Sequence, residues 1–169
     1  MIVMMDSVQK FLAETQFEPL VRDLALQTLA AAGDAWPSRA SWAGFAFNCS
    51  ASWGFLHISL TRLPARAAME PPDWEHECVE AELPAITELW RARYEPVRLR
   101  YEEERAAHTG YPEAFLHSLR RVVVQLEHQG AFAPHPGIRL LVTEVDADTV
   151  AEEAALVRVR QAFRMGEAP

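Results

Sequence analysis

Apolar residues recur three and four positions apart from residue 6 to about 15, where Val8, Phe11 and Leu12 share a face, and this spacing predicts a first helix. A second helical pattern follows. Pro19 lies in its first turn, where a missing N–H costs nothing; Leu20, Val21, Leu24 and Leu29 form its stripe, and Gly33 is the expected stop. After the loop "GDAWPSRAS" the period changes to two. "WAGFAF" and "SWGFLHISL" bracket "NCSA" and predict a hairpin closed there. In its second strand Trp53, Phe55, His57 and Ser59 alternate with Gly54, Leu56, Ile58 and Leu60.

"RLPARAAMEPPDW" is expected to be a loop, because Pro71 and Pro72 exclude regular structure locally. One long charged helix is expected from 79 to about 107, bent at Pro96. Residues 114–128 give an amphipathic helix with Leu116, Leu119, Val123 and Leu126 inward, between Pro112 and Gly130. "GIRLLVTEV" predicts a third strand and 149–163 a last helix. No internal repeat or low-complexity segment interrupts this order. The fold class is α+β: a small mixed or antiparallel sheet, hairpin plus late strand, flanked by several helices in one domain over 1–169, with frayed ends at 1–5 and 165–169.

The 169 residues suffice to bury roughly 70% of the unfolded chain's surface, and half of them are hydrophobic. The formal net charge of −8 disfavours nucleic acid as a partner, since phosphates need cations to neutralise them. Asp6 cuts short the apolar patch "MIVMMDSVQKF", which also lacks a basic start, and no run approaches the roughly eighteen apolar residues of a membrane span. A cytoplasmic protein off the membrane is expected, with Cys49 and Cys78 as free thiols. "NCS" at positions 48–50 formally matches a glycosylation acceptor, which has no meaning without secretion.

In "LLVTEVDADTV" Glu144, Asp146 and Asp148 alternate at the end of the third strand, which is the right ligand type and place for a divalent metal. The competing reading is a helix entrance. "TVAE" fits a capping box in which Thr149 accepts from the helix and Glu152 reaches back, while Asp146 and Asp148 face the positive end of the helix dipole. The second reading is favoured. "WEHECVE" places His76 and Cys78 two apart, but zinc needs three or four ligands, and no CxxC or HxxxH pair completes them. Of the six histidines, His57 alone sits on a strand face among aromatics, where a hydrogen-bonded structural role is the commoner outcome. No serine elbow, phosphate loop or dinucleotide fingerprint appears.

Along the charged helix Arg91 is spaced to meet Glu95, Arg98 to meet Glu102 and Arg100 to meet Glu104, a compensated and solvated surface. Core packing is expected for Trp42 and Trp90. The loop residues Trp36 and Trp74, beside prolines, are candidate anchors for a protein partner together with Glu144, Asp146 and Asp148.

"PPDWEHECVEAELPAITELW", "YPEAFLHSLRRVVVQLEHQGAF" and "RLLVTEVDAD" together resemble the bacterial domain-of-unknown-function family 4303 over about residues 45–157. The likeness rests on an early strand pair, a Pro-rich segment with a Trp matched by Trp74, a helix ending in Gly, and a late strand ending in acid. "NCSASWGFLHISLTR" departs from it, lacking an Asn- and Thr-rich stretch after the second strand. The family has no established activity. What the resemblance implies is a candidate toxin-immunity or interaction role without catalytic residues. The expectation is therefore a non-catalytic binding module for a basic protein such as a toxin domain, with no cofactor. Its alternative is a small divalent-metal enzyme built on Glu144, Asp146 and Asp148.

Overall fold

The computed structural model describes residues 6–144 and 146–166. Its sheet has the order β2-β1-β3, with β1 (Gly44–Ser50) central, antiparallel to β2 (Phe55–Thr61) and parallel to β3 (Arg139–Glu144). The α+β class and the hairpin plus late strand stand as read. The turn does not fall on "NCSA". Asn48 to Ser50 belong to β1, and the chain reverses over 51–54, where the amides of Trp53 and Gly54 both donate to Ser50 O. Gly54 has φ +71°, and a Cβ there would stand 2.7 Å from Cδ1 of Tyr101, so glycine is required by both backbone and space.

Direct partners across neighbouring strands share a face. One face of the sheet carries Phe45, Phe47 and Cys49 with Ile58, Leu60 and Val142; the other carries Ala46 and Asn48 with His57, Ser59, Leu141 and Thr143. The first face meets the main core, to which α1 (Ser7–Glu14), α2 (Phe17–Ala35), α7 (Tyr111–His128) and α8 (Thr149–Arg164) all contribute. Phe11, Tyr101, Tyr111 and Phe115 pack there at ring spacings of 5.1 to 5.8 Å. The second face is smaller and mostly polar, and Trp74 covers Ala46 and Leu141 on it.

Three boundaries differ from expectation. Gly33 does not stop α2, which runs to Ala35 and closes with the Trp36 amide on Ala32 O. The expected loop at 62–74 contains α3 (Pro64–Ala67) and a 3-10 turn at Pro71–Asp73. The expected helix from 79 to 107 is three helices: α4 (Val79–Glu82), α5 (Pro84–Arg93) and α6 (Glu95–Arg105). Pro84 forces Leu83 into extended backbone (φ −114°, ψ 104°), and Pro96 bends the chain at Tyr94 while the helical ladder continues through it. α7 begins three residues early, with Pro112 in its first turn.

Of the spaced pairs, Arg98–Glu102 and Arg100–Glu104 form, whereas Arg91 pairs with Glu88. Arg98 also takes Glu95, and Arg100 reaches Glu14 on α1. The two polar ends Tyr94 Oη and Tyr101 Oη donate to Gly54 O and Ala51 O, tying α6 to the hairpin turn. Among the described residues no helix is long and apolar enough to cross a membrane. Residues 1–5 and 167–169, expected to fray, lie outside the described ones; Met165 caps α8.

Candidate functional site: a His–Cys–Glu cluster at the sheet edge

β2 is an edge strand, and its outward amides need partners. The segment after the 3-10 turn supplies them. Leu60 and His76 exchange backbone hydrogen bonds at 2.8 and 3.1 Å, and Ser59 Oγ donates to Glu77 O at 2.5 Å. One step further along, the chain has turned into α4 and no carbonyl is available. The Glu80 carboxylate takes its place, with Oε2 accepting the Ile58 N–H at 3.0 Å.

This edge role explains why an acid is buried at 7% exposure. It also aims the second oxygen. Glu80 Oε1 lies 2.6 Å from Nδ1 of His57 and 3.1 Å from Sγ of Cys78, and those two atoms are 3.2 Å apart. His57 comes from β2, one residue before the amide that Glu80 caps. Cys78 comes from the turn into α4. One imidazole nitrogen, one sulfur and one carboxylate oxygen thus lie within 4.8 Å of one another.

The hydrogen bond from Glu80 raises the His57 pKa above its ordinary value, against a smaller opposing effect of burial. Burial first, and then the Glu80 charge, push the Cys78 thiol up to about 12. A nucleophilic Cys–His pair needs the opposite, a stabilised thiolate facing an imidazole that can take its proton. Here Glu80 takes the bonds of both neighbours at once. The cluster is therefore poor at thiol catalysis as it stands, and its donor set is that of a borderline-soft divalent ion.

The cluster opens on a cavity of about 450 Å³ lined by Phe55, Trp90, Tyr94, Ala81 and Arg98. Trp90 Nε1 donates to Thr28 Oγ1 and Tyr94 Oη to Gly54 O, so both rings turn their polar ends inward and give the cavity carbon. Arg98 is neutralised by Glu95 and Glu102 and lies 4.5 Å over the Phe55 ring. Thr87 Oγ1 donates to Glu80 O at 2.5 Å and anchors the start of α5 below the acid. An apolar cavity of this size with a few convergent polar groups is the usual form of a small-molecule site.

The acids singled out in the sequence do not converge. Glu144 Oε1 accepts the Ala51 amide at 2.7 Å across the strand ends. Asp148 is the N-cap of α8, accepting from Val150 and Ala151 at 3.0 and 3.4 Å. Asp146 is exposed, in left-handed backbone at φ +63°. The helix entrance is thus real but begins one residue earlier than the capping box expected, and Glu152 pairs with Arg120 at 2.7 Å instead of reaching back. Among the described residues, His57, Cys78 and Glu80 are the convergent ligand group.

Trp42 and Trp90 are core residues. Trp74 is buried too, with Nε1 on Met69 O at 3.1 Å, so its surface is spent inside the fold and not on a partner. Trp36 is half-buried and stacks on His76 at 3.8 Å. His76, the nearer sequence neighbour of Cys78, is therefore turned away to Trp36 and Glu82. The sequence spacing pairs it with Cys78, whereas the fold brings His57 and Glu80 to Cys78. Glu80 lies two residues further on, and His57 lies twenty-one residues earlier, on a strand face where a structural histidine is the expected reading.

No protein-family model, no curated protein and no solved structure matches the chain.

Proposed function

We propose that the protein binds a divalent transition metal of zinc's class through His57 Nδ1, Cys78 Sγ and Glu80 Oε1, and presents the ion to a small molecule in the adjoining cavity. The observation that carries this reading is the convergence of three different donor types within 4.8 Å on an apolar cavity. Three protein ligands with one open position is the pattern of zinc sites that act on a bound molecule, where structural sites close all four. An ion seated between them would set its donors roughly 3.4 Å apart, so the His57–Glu80 contact of 2.6 Å has to open by most of an ångström and the Cys78 contacts of 3.1 and 3.2 Å by a few tenths.

The supporting residues match what such an ion needs. The Ile58 amide on Glu80 Oε2 fixes the carboxylate's orientation, as outer hydrogen bonds to metal ligands do. Uptake displaces the His57 proton and the Cys78 thiol proton, which the ion's charge makes favourable at neutral pH. Zinc titration followed by thermal unfolding tests the reading: stabilisation is expected in the wild type and not in Cys78→Ser or Glu80→Gln. Equal shifts in all three proteins would count against it.

A second reading, a binding module for a basic protein of the toxin-immunity kind, is favoured by the net charge of −8 and by the acids Glu144 and Asp146 at the strand ends, which form no ion pair among the described residues. Charge-reversal of those two residues abolishes capture of such a partner if that reading holds.

A further inference from the structure

At the end of the sheet away from the hairpin turn, where β1 and β3 begin and β2 ends, lies a cavity of about 690 Å³. Arg39, Arg62 and Arg139 line it, with Ser41 and the carbon walls of Pro64 and Pro136. No Asp or Glu does, in a chain of net charge −8. Strand-end hydrogen bonds fix its frame: the Ala43 amide donates to Thr61 O at 2.8 Å and the Arg139 amide to Ala43 O at 2.9 Å. The three arginines are not alike. Arg139 is occupied by Glu153 and by the carbonyls of Ala67 and Met69. Arg39 and Arg62 form no ion pair among the described residues, whereas Arg98, Arg120 and Arg160 each hold a carboxylate. Unpaired surface arginines alone specify nothing. The seating of Arg62 does. This half-buried guanidinium lies 3.8 Å over the ring of Trp42, itself 2% exposed, and its Nε donates to Ala40 O at 3.1 Å. Ring and carbonyl hold the group at two points and leave the edge formed by its terminal nitrogens without a carboxylate. Glu75, the acid whose charge reaches it, accepts the Arg62 backbone amide instead. Burial draws the Arg62 pKa below its ordinary value, against a smaller opposing effect of Glu75.

We infer that this cavity is a receptor for a small organic phosphate, its dianion received by the free edge of Arg62 and by Arg39, with Pro64 and Pro136 against its carbon body. Charge selects the dianion. Two guanidiniums without a counter-ion match a phosphate monoester, whereas a single carboxylate leaves one of them unmatched. The three free oxygens of a phosphate also serve a two-pronged contact and a second arginine at once. Volume selects an organic body, because about 690 Å³ is the size of a small-molecule site and far exceeds a bare phosphate. The surrounding chain selects a small ligand. A net charge of −8 repels a long row of phosphates, so a nucleic-acid backbone does not suit the site. The inference is independent of the metal reading, since it uses none of that cluster's residues.

The test is an NMR titration of the full chain with phenyl phosphate at about pH 8, where a phosphate monoester is a dianion. It is read at the Arg62 Nε–H signal, with phenol as the uncharged control and benzoate as the monoanion. A saturable shift with phenyl phosphate, none with phenol and weaker binding of benzoate are expected. Arg62→Lys keeps a cation over Trp42 but loses the fork, and weakens binding about tenfold, read at the Ser41 amide. Arg39→Gln, at an exposed position, weakens it about threefold to tenfold by removing a charge-assisted bond. Zinc binding by both variants stays unchanged. No saturable shift overturns the inference, as does wild-type affinity in both variants. Benzoate or phenol binding as tightly as phenyl phosphate overturns the dianion, and tighter binding of a blocked phosphoserine dipeptide overturns the small-molecule assignment.

Discussion

The carboxylate of Glu80 accepts the backbone N–H of Ile58 at 3.0 Å, standing where the carbonyl of a fourth strand would be. One bond therefore extends the cover of the β2 edge beyond the Leu60–His76 bridge and aims the remaining carboxylate oxygen at His57 and Cys78. Stability and candidate chemistry rest on the same side chain.

Glu80→Ala is expected to lower unfolding stability by about 1–3 kcal/mol, because the buried Ile58 amide loses its acceptor and the more exposed His57 ring loses its partner. Glu80→Gln keeps one oxygen for Ile58 and is expected to cost less. Urea unfolding of both variants checks the order, and equal losses would show that the edge bond contributes little.

The His57–Glu80 pair has a pH signature in the metal-free protein. His57 carries a raised pKa when folded, so its contribution is fully present below the unfolded value near 6.5 and is lost as pH rises through the folded value. Glu80, Glu77 and Cys78 are the titratable groups at hand. The stability difference between wild type and His57→Gln is expected to shrink as the pH goes from about 6 to about 9. A difference that grows over that range would reverse the assignment of the bond.

Cys78 is expected to resist alkylation. With its thiol pushed up to about 12, roughly one molecule in ten thousand is thiolate at pH 8. Iodoacetamide labelling of the folded, metal-free chain should run far slower than after unfolding. Fast labelling at neutral pH would restore a nucleophilic role for this residue.

The sheet and its helices were legible because their patterns are local. The alternation along β2, the apolar stripes of α2 and α7, and the apolar run of β3 each announced an element. The breaks at Leu83 and Tyr94 were half legible: Pro96 was read as a bend, while Pro84 needed its effect on the preceding residue to be applied as well. The cluster was not legible for a different reason. His57 meets Cys78 and Glu80 only because the chain from Trp74 onward lies along the edge of β2, and nothing in the spacing of "WEHECVE" fixes that register. Trp74 looked like an anchor because it sits among prolines, yet those prolines fold it onto Ala46 and Leu141.

Gly54 tests the hairpin turn directly. Gly54→Ala puts a Cβ against Tyr101 in backbone that non-glycine residues adopt with strain, and a loss of about 1–3 kcal/mol is expected. Thermal unfolding measures it, and a neutral result would mean that the turn relaxes away from Tyr101.

Cobalt(II) titration followed by absorbance puts the central claim to the most direct test, because a thiolate ligand announces itself by a sulfur-to-metal charge-transfer band. The account predicts that the band saturates at one ion per chain, is bleached by zinc and is absent from Cys78→Ser. A folded wild-type protein that gives no such band, or a Cys78→Ser variant that keeps it, would contradict the assignment of His57, Cys78 and Glu80 as a metal site.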